Sequence, residues 1–148
     1  MPSMLDTTER ARMLQRLAAI APETRPRWGM MSAAQMLAHL DAQMRDVLGE
    51  LTVAPRPRQI RNPLLKWFLI DVMPWPKGKL PTAPEYRVAS PGEFAPLAAG
   101  LRARLEAWAA LGEARGGAVH PLFGPLSGAT LGRLLWKHWN HHLEQFGA

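Results

Sequence analysis

The chain contains no cysteine. Disulfides and thiolate ligands are thereby excluded, and any sulfur nucleophile in its chemistry has to arrive on a substrate or cosubstrate. It also lacks an apolar run of the roughly 18 residues that a membrane span requires. The greasiest segment, "LLKWFLIDVM", is interrupted by Lys66 and Asp71. The opening "MPSMLDTTERARML" has no apolar stretch behind a basic start, so no export signal is read and a cytoplasmic location is expected. No segment alternates with period two for long enough to argue a strand, and there is no internal repeat or low-complexity tract.

What is present fits one globular domain spanning 1–148, with 47% apolar and 20% charged residues. The formal charge of +6 raises the question of nucleic acid. The 18 Lys and Arg are nevertheless spread from Arg10 to Lys137, with one loose concentration at Arg56, Arg58, Arg61 and Lys66. A solvated basic surface is the expectation, with neither nucleic acid nor membrane as partner.

Helix signals dominate. Asp6 to Glu9 resembles a capping box, and Met13, Leu14, Leu17 and Ala18 then form one stripe, which predicts a helix to about Ile20. Ser32 with Gln35 repeats the box, Met31 and Met36 sit at staple positions, and Gly49 supplies a stop, so a second helix is expected over 33–48. Asn62 before Pro63 opens a short apolar helix that Pro74 ends. Ser90, Pro91 and Glu93 read as the start of a further helix, with Phe94, Leu97, Ala98, Leu101, Leu105 and Trp108 in helical register up to Gly112. The last helix is expected from about Ser127 to Gly147. Four long helices and a short apolar one predict an all-α four-helix bundle. Nine of the fourteen prolines lie between Pro55 and Pro96, so the crossover around the short helix is long and extended, as ordered covers over sites often are.

Three of the five histidines fall within "WKHWNHHLEQFGA". At about 100° per residue, His138 and His142 lie about 40° apart, on the face shared with Leu131, Leu135 and Gln145. Residues four apart have Cβ atoms roughly 6 Å from each other, which lets two imidazoles reach one ion at about 2.1 Å. A further ligand must come from another helix. His39 is placed for it, at the edge of the second helix's apolar stripe and in a polar line with Gln35, Gln43 and Asp46. His39, His138 and His142 are therefore the candidate metal ligands, against the plainer reading of core or surface histidines. Imidazole suits zinc, nickel, iron or copper. His120, in "HPLFGPLSG", reads as a fourth ligand, a residue behind the ligands, or a plain loop residue, with the last two favoured. His141 falls at the margin of the apolar face, where packing is expected rather than ligation.

The order "MSAAQMLAHL", "WPKGKLPTAPEY" and "HPLFGPLSGATLGRLLWKHWNHHLEQFG" resembles a branch of small bacterial proteins within the DinB-like superfamily, over nearly the whole chain from about Trp28 to Gly147. The resemblance implies a four-helix bundle with a long crossover, commonly dimeric. It also implies one divalent metal, zinc or nickel foremost, held by one histidine of the second helix and a His-x-x-x-His pair of the last. Those positions are His39, His138 and His142. Relatives in the superfamily include metal-dependent thiol S-transferases, so a low-molecular-weight thiol cosubstrate is implied as well.

Three neutral histidines would leave an open coordination position, the arrangement of catalytic rather than structural zinc sites, where a water or thiol could serve as nucleophile on a small-molecule substrate. A hydrolase using water is the companion reading, and a non-catalytic helical dimer with a structural or vestigial metal is the alternative. Asp46, Gln43 and Gln145 are placed to support the ligands. Trp28 and Trp75 are candidates to close over a substrate, whereas Trp67, Trp108 and Trp139 are expected to pack. Arg56, Arg58 and Arg61 could attract an anionic cosubstrate such as a carboxylated thiol.

Overall fold

A computed structural model describes residues 1–78, 82–112 and 118–148. Among them the chain is mostly helical, with one small hairpin. Helix α1 spans Thr7–Ala18, and the Asp6 side chain accepts the Glu9 N–H at its start. Helix α2, Ala33–Val47, opens on both halves of the expected box: Ser32 Oγ accepts from Gln35 N–H while Gln35 Oε1 accepts from Ser32 N–H. These bonds satisfy N–H groups that no helical carbonyl can reach. Asn62 accepts from Leu64 and Leu65 N–H to begin α3, Pro63–Trp67, which widens into a π-helical turn, Phe68–Val72, ahead of Pro74. Pro84–Tyr86 forms a 3₁₀ turn, α4 runs Phe94–Ala110, and α5, capped by Ser127, runs Gly128–Gln145.

Three expectations are corrected. Ser90, Pro91 and Glu93 do not cap α4, which starts at Phe94 with no side-chain cap bond. The reason lies at Pro96, which in a helix opened at Pro91 would stand at the sixth position and clash with the Gly92 carbonyl, whereas from Phe94 it falls in the first turn. A two-stranded antiparallel hairpin, β1 (Ala118–His120) and β2 (Gly124–Leu126), precedes α5. Three residues per strand is too short a run for alternation to register in a sequence. Trp67 is 55% exposed, while Trp108 and Trp139 are fully buried as expected.

The core is shared by the four long helices. Met13, Leu14 and Leu17 of α1, Met36, Leu37, Leu40 and Met44 of α2, Leu101, Leu105 and Trp108 of α4, and Leu131, Leu135, Trp139 and Leu143 of α5 belong to one buried cluster. Helix α2 packs chiefly on α4, and α1 lies on α5. No described helix is long and apolar enough to cross a membrane.

The crossover is fastened at two places. Arg56 N–H donates to the Pro121 carbonyl at 2.9 Å and Ile60 N–H to Leu122 at 2.8 Å, which ties it to the hairpin. On α5, Lys137 Nζ donates to the carbonyls of Leu69, Ile70 and Met73 at 3.1, 2.8 and 2.6 Å. Arg133 meets the nearly buried Asp71 carboxylate at 2.8 Å. A single ammonium thus gathers carbonyls that the widened helical end leaves without internal donors. Replacing it by an apolar side chain of similar length removes all three bonds. Lys137→Met is expected to lower stability by about 2 kcal/mol in urea unfolding and to speed amide exchange over residues 68–75. Unchanged exchange there would show that the Lys137 ammonium does not hold the segment.

Candidate metal centre

His39 projects from α2, and His138 and His142 from α5, one turn apart. Their Nε2 atoms converge: His138 Nε2 lies 2.9 Å from that of His39 and 3.1 Å from that of His142. All three rings are less than one-tenth exposed.

The other ring nitrogens decide the tautomers. His39 Nδ1 is 3.0 Å from the Tyr86 carbonyl, His138 Nδ1 meets Gln43 Oε1, and His142 Nδ1 is 2.8 Å from Gln145 Oε1. The Tyr86 carbonyl can only accept and Gln145 presents its oxygen, so His39 and His142 carry their proton on Nδ1 and donate it outward, while Gln43 sets Oε1 against His138 Nδ1. The amide orientation of Gln145 is fixed independently, because its Nε2 donates to the Trp28 carbonyl at 2.7 Å. Gly29, at φ +78°, passes so close that a Cβ there would lie 2.8 Å from the same Nε2. The Nε2 lone pairs of His39 and His142 are thereby turned toward His138 Nε2.

Electrostatics keeps them neutral. Burial, reinforced by the other imidazoles, holds His138 well below the usual histidine range. Burial also lowers His39, and burial with the nearby His39 pushes His142 down to about 3. Three neutral Nε2 donors at this spacing could hold a metal ion. The donor set suits a borderline-soft divalent ion, and the Nδ1–H···O bonds are of the kind that orient metal-ligating histidines.

The remaining candidates occupy distinct places. Asp46 accepts from the Tyr86 hydroxyl, so it acts on His39 only through the residue whose carbonyl holds that ring. Burial raises its pKa. His141 stands beside the triad, its ring 5.7 Å from Trp28 and 6.0 Å from Trp75, both edge-on or tilted. Trp75 also packs on His138 at 5.8 Å, and its indole N–H donates to the Leu69 carbonyl. His120 lies outside the group of converging nitrogens. Its Nδ1 accepts the N–H groups of Leu122 and Phe123 at 3.2 and 3.3 Å, which closes the hairpin turn.

The triad forms part of the wall of a cavity of about 950 Å³ that Trp28, Met73, Trp75, His120, Phe123 and His141 also line. Arg56 and Arg58 line it too, but Arg61 does not; Arg87 takes that place. Sequence reasoning missed Tyr86, Arg87 and the Trp28 carbonyl. The only available signal for Tyr86 was its being the sole tyrosine, and a backbone carbonyl has no sequence signal at all.

Comparison with protein-family models, with curated proteins and with solved structures gives no match to this chain.

Burial pushes the His120 pKa down from 6.5 to about 4. Between those values the unfolded chain binds a proton that the folded chain refuses, so stability rises with pH. The contribution is complete above 6.5 and is lost as pH falls toward 4. His120→Asn, whose amide oxygen can accept the same two N–H groups, is expected to give a shallower loss of stability across that window in urea unfolding at stepped pH. An equal slope in both proteins would mean that His120 does not titrate with folding.

Proposed function

We propose that the chain is a DinB-like four-helix bundle, formed by α1, α2, α4 and α5, that holds one divalent ion, zinc or nickel, and uses it on a small-molecule substrate. The ligands are His39, His138 and His142. The observation that carries this reading is the convergence of three buried Nε2 atoms, each ring having its Nδ1 set against an outer oxygen. Without an electrophile among them, such atoms repel one another in a medium that also resists their protonation.

When bound, the ion would supply Lewis acidity, lowering the pKa of a water or a low-molecular-weight thiol to near neutrality. The protein's own residues do the rest. Gln43, Gln145 and the Tyr86 carbonyl fix the imidazole planes and keep each ring a donor on its outer side. Trp28 and Trp75 limit water around the floor of the cavity. His141 is neutral, half-buried, and without a hydrogen bond among the described residues. Burial keeps its pKa low, and it is the side chain positioned to accept a proton from an incoming nucleophile. The thiol of a thiol-transfer reaction comes from the cosubstrate, since the chain has no cysteine.

A second reading, a helical dimer or binding module whose metal is structural, is favoured by one observation. Leu64, Leu65, Trp67, Phe68 and Val72 leave an apolar face of α3 and its π turn open to solvent. Such faces commonly mark association sites. The homodimer is compatible with either reading.

Untagged protein purified without chelator is expected to carry about one zinc or nickel ion per chain by elemental analysis. His39→Ala and His142→Ala should lose it, and Gln145→Leu should weaken affinity roughly ten- to a hundredfold. Wild-type protein that neither contains nor takes up zinc or nickel sinks the proposal. For the dimer, light scattering should give twice the chain mass, with Trp67→Glu shifting the protein toward monomer. A monomeric wild type at all concentrations would exclude it.

A further inference from the structure

The cavity above the imidazoles has a charge pattern that the metal reading does not use. Among the described residues that line it there is no Asp or Glu, while Arg56, Arg58 and Arg87 all contribute. None of the three guanidinium groups forms a salt bridge among the described residues. Asp41 and Glu50 pair with Arg104, Glu106 with Arg10 and Asp71 with Arg133. Glu85 feels the Arg56 charge, but it accepts the Ala54 N–H at 3.2 Å and makes no ion pair.

Burial sorts the cavity from rim to floor. Arg58 and Arg87 are exposed and Arg56 is half-buried, whereas His39, His138 and His142 are buried. Between them the walls are apolar. Trp28, Met31, Leu69, Met73, Trp75 and Phe123 offer flat aromatic faces and adaptable thioethers. The volume, about 950 Å³, lies at the upper end of the range for pockets that enclose drug-sized ligands.

We propose that this cavity binds an amphipathic acid: a small molecule with a carboxylate held by the rim arginines, an apolar body against the tryptophans and methionines, and its reacting group at the imidazole floor. Unpaired arginines at the mouth of an apolar cavity attract and orient an anion, and a guanidinium can bind a carboxylate through two parallel N–H bonds. The apolar walls supply the affinity that charge alone lacks. Placing the acid at the rim keeps it away from the floor, so the recognised group and the transformed group are different parts of one molecule. The location of the reacting group rests on the metal reading. Recognition of the acid does not.

Isothermal titration of the full chain, as purified and after chelation, with octanoate, octan-1-ol and acetate separates the contributions. Octanoate is expected to bind more tightly than either control in both preparations. Arg56→Gln/Arg58→Gln/Arg87→Gln should weaken octanoate roughly tenfold or more while leaving octan-1-ol unchanged. Arg61→Gln, a charge loss on the same loop outside the cavity, should leave octanoate binding as it was. Thermal unfolding of each variant verifies that these exposed substitutions preserve the fold. Octan-1-ol or acetate binding as tightly as octanoate, no octanoate binding at all, or equal loss from Arg61→Gln would overturn the inference. Arginine-dependent octanoate binding by a protein that takes up no metal would overturn the metal reading instead and leave this one standing.

Discussion

The orientation of three imidazole rings organises this molecule. Each Nδ1 is set against an outer oxygen, at Tyr86, Gln43 or Gln145, and each Nε2 consequently points inward. Protonating one ring would relieve the crowding, but desolvation opposes a buried imidazolium, and the other two rings would add repulsion if charged. Such an arrangement could hold a metal ion. The surrounding hydrogen bonds act together to preserve it: Gln145 is pinned by the Trp28 carbonyl, and Tyr86 is tied through its hydroxyl to Asp46.

Helices supply the floor of the site, and the crossover, the α1–α2 connection and the hairpin turn supply its walls. That division follows from mechanics, since ligands held within a fraction of an ångström need rigid elements while a substrate surface tolerates loops. The same turn of α5 performs both tasks, with His138 facing the triad while neighbouring Lys137 gathers three crossover carbonyls. Trp75 bridges the two, packing on His138 and His141 and donating its indole N–H to Leu69. A change in the crossover is thereby a change in what covers the imidazoles.

Charge is segregated in a comparable way. Arg56, Arg58 and Arg87 line the cavity with no Asp or Glu among its described lining residues, so its rim is basic without any single run of basic residues. The sequence concentration at Arg56, Arg58 and Arg61 indicated such a rim only in part. Arg61 lies next to the helix cap and outside the cavity, and Arg87 arrives from beyond the 3₁₀ turn. A linear cluster and a spatial one coincide only where the chain keeps a constant direction.

The sequence by itself determined what depends on neighbours within about one helical turn. It fixed the starts of α1, α2, α3 and α5 through their capping side chains, the common face of His138 and His142, and the position of His39 at the edge of the α2 stripe. Where a local rule met a local conflict it misled, as at α4, where Pro96 is tolerated only in the first turn and so excludes a start at Pro91. Tertiary structure alone decided that the α2 and α5 imidazoles meet, which oxygen orders each ring, that His120 closes a hairpin, and that Trp67 faces outward. His39 and His138 are 99 residues apart, and His39 and its Tyr86 carbonyl 47. Contacts of that span are set by the packing of whole helices and by the route of the crossover, which no spacing rule within a single element contains.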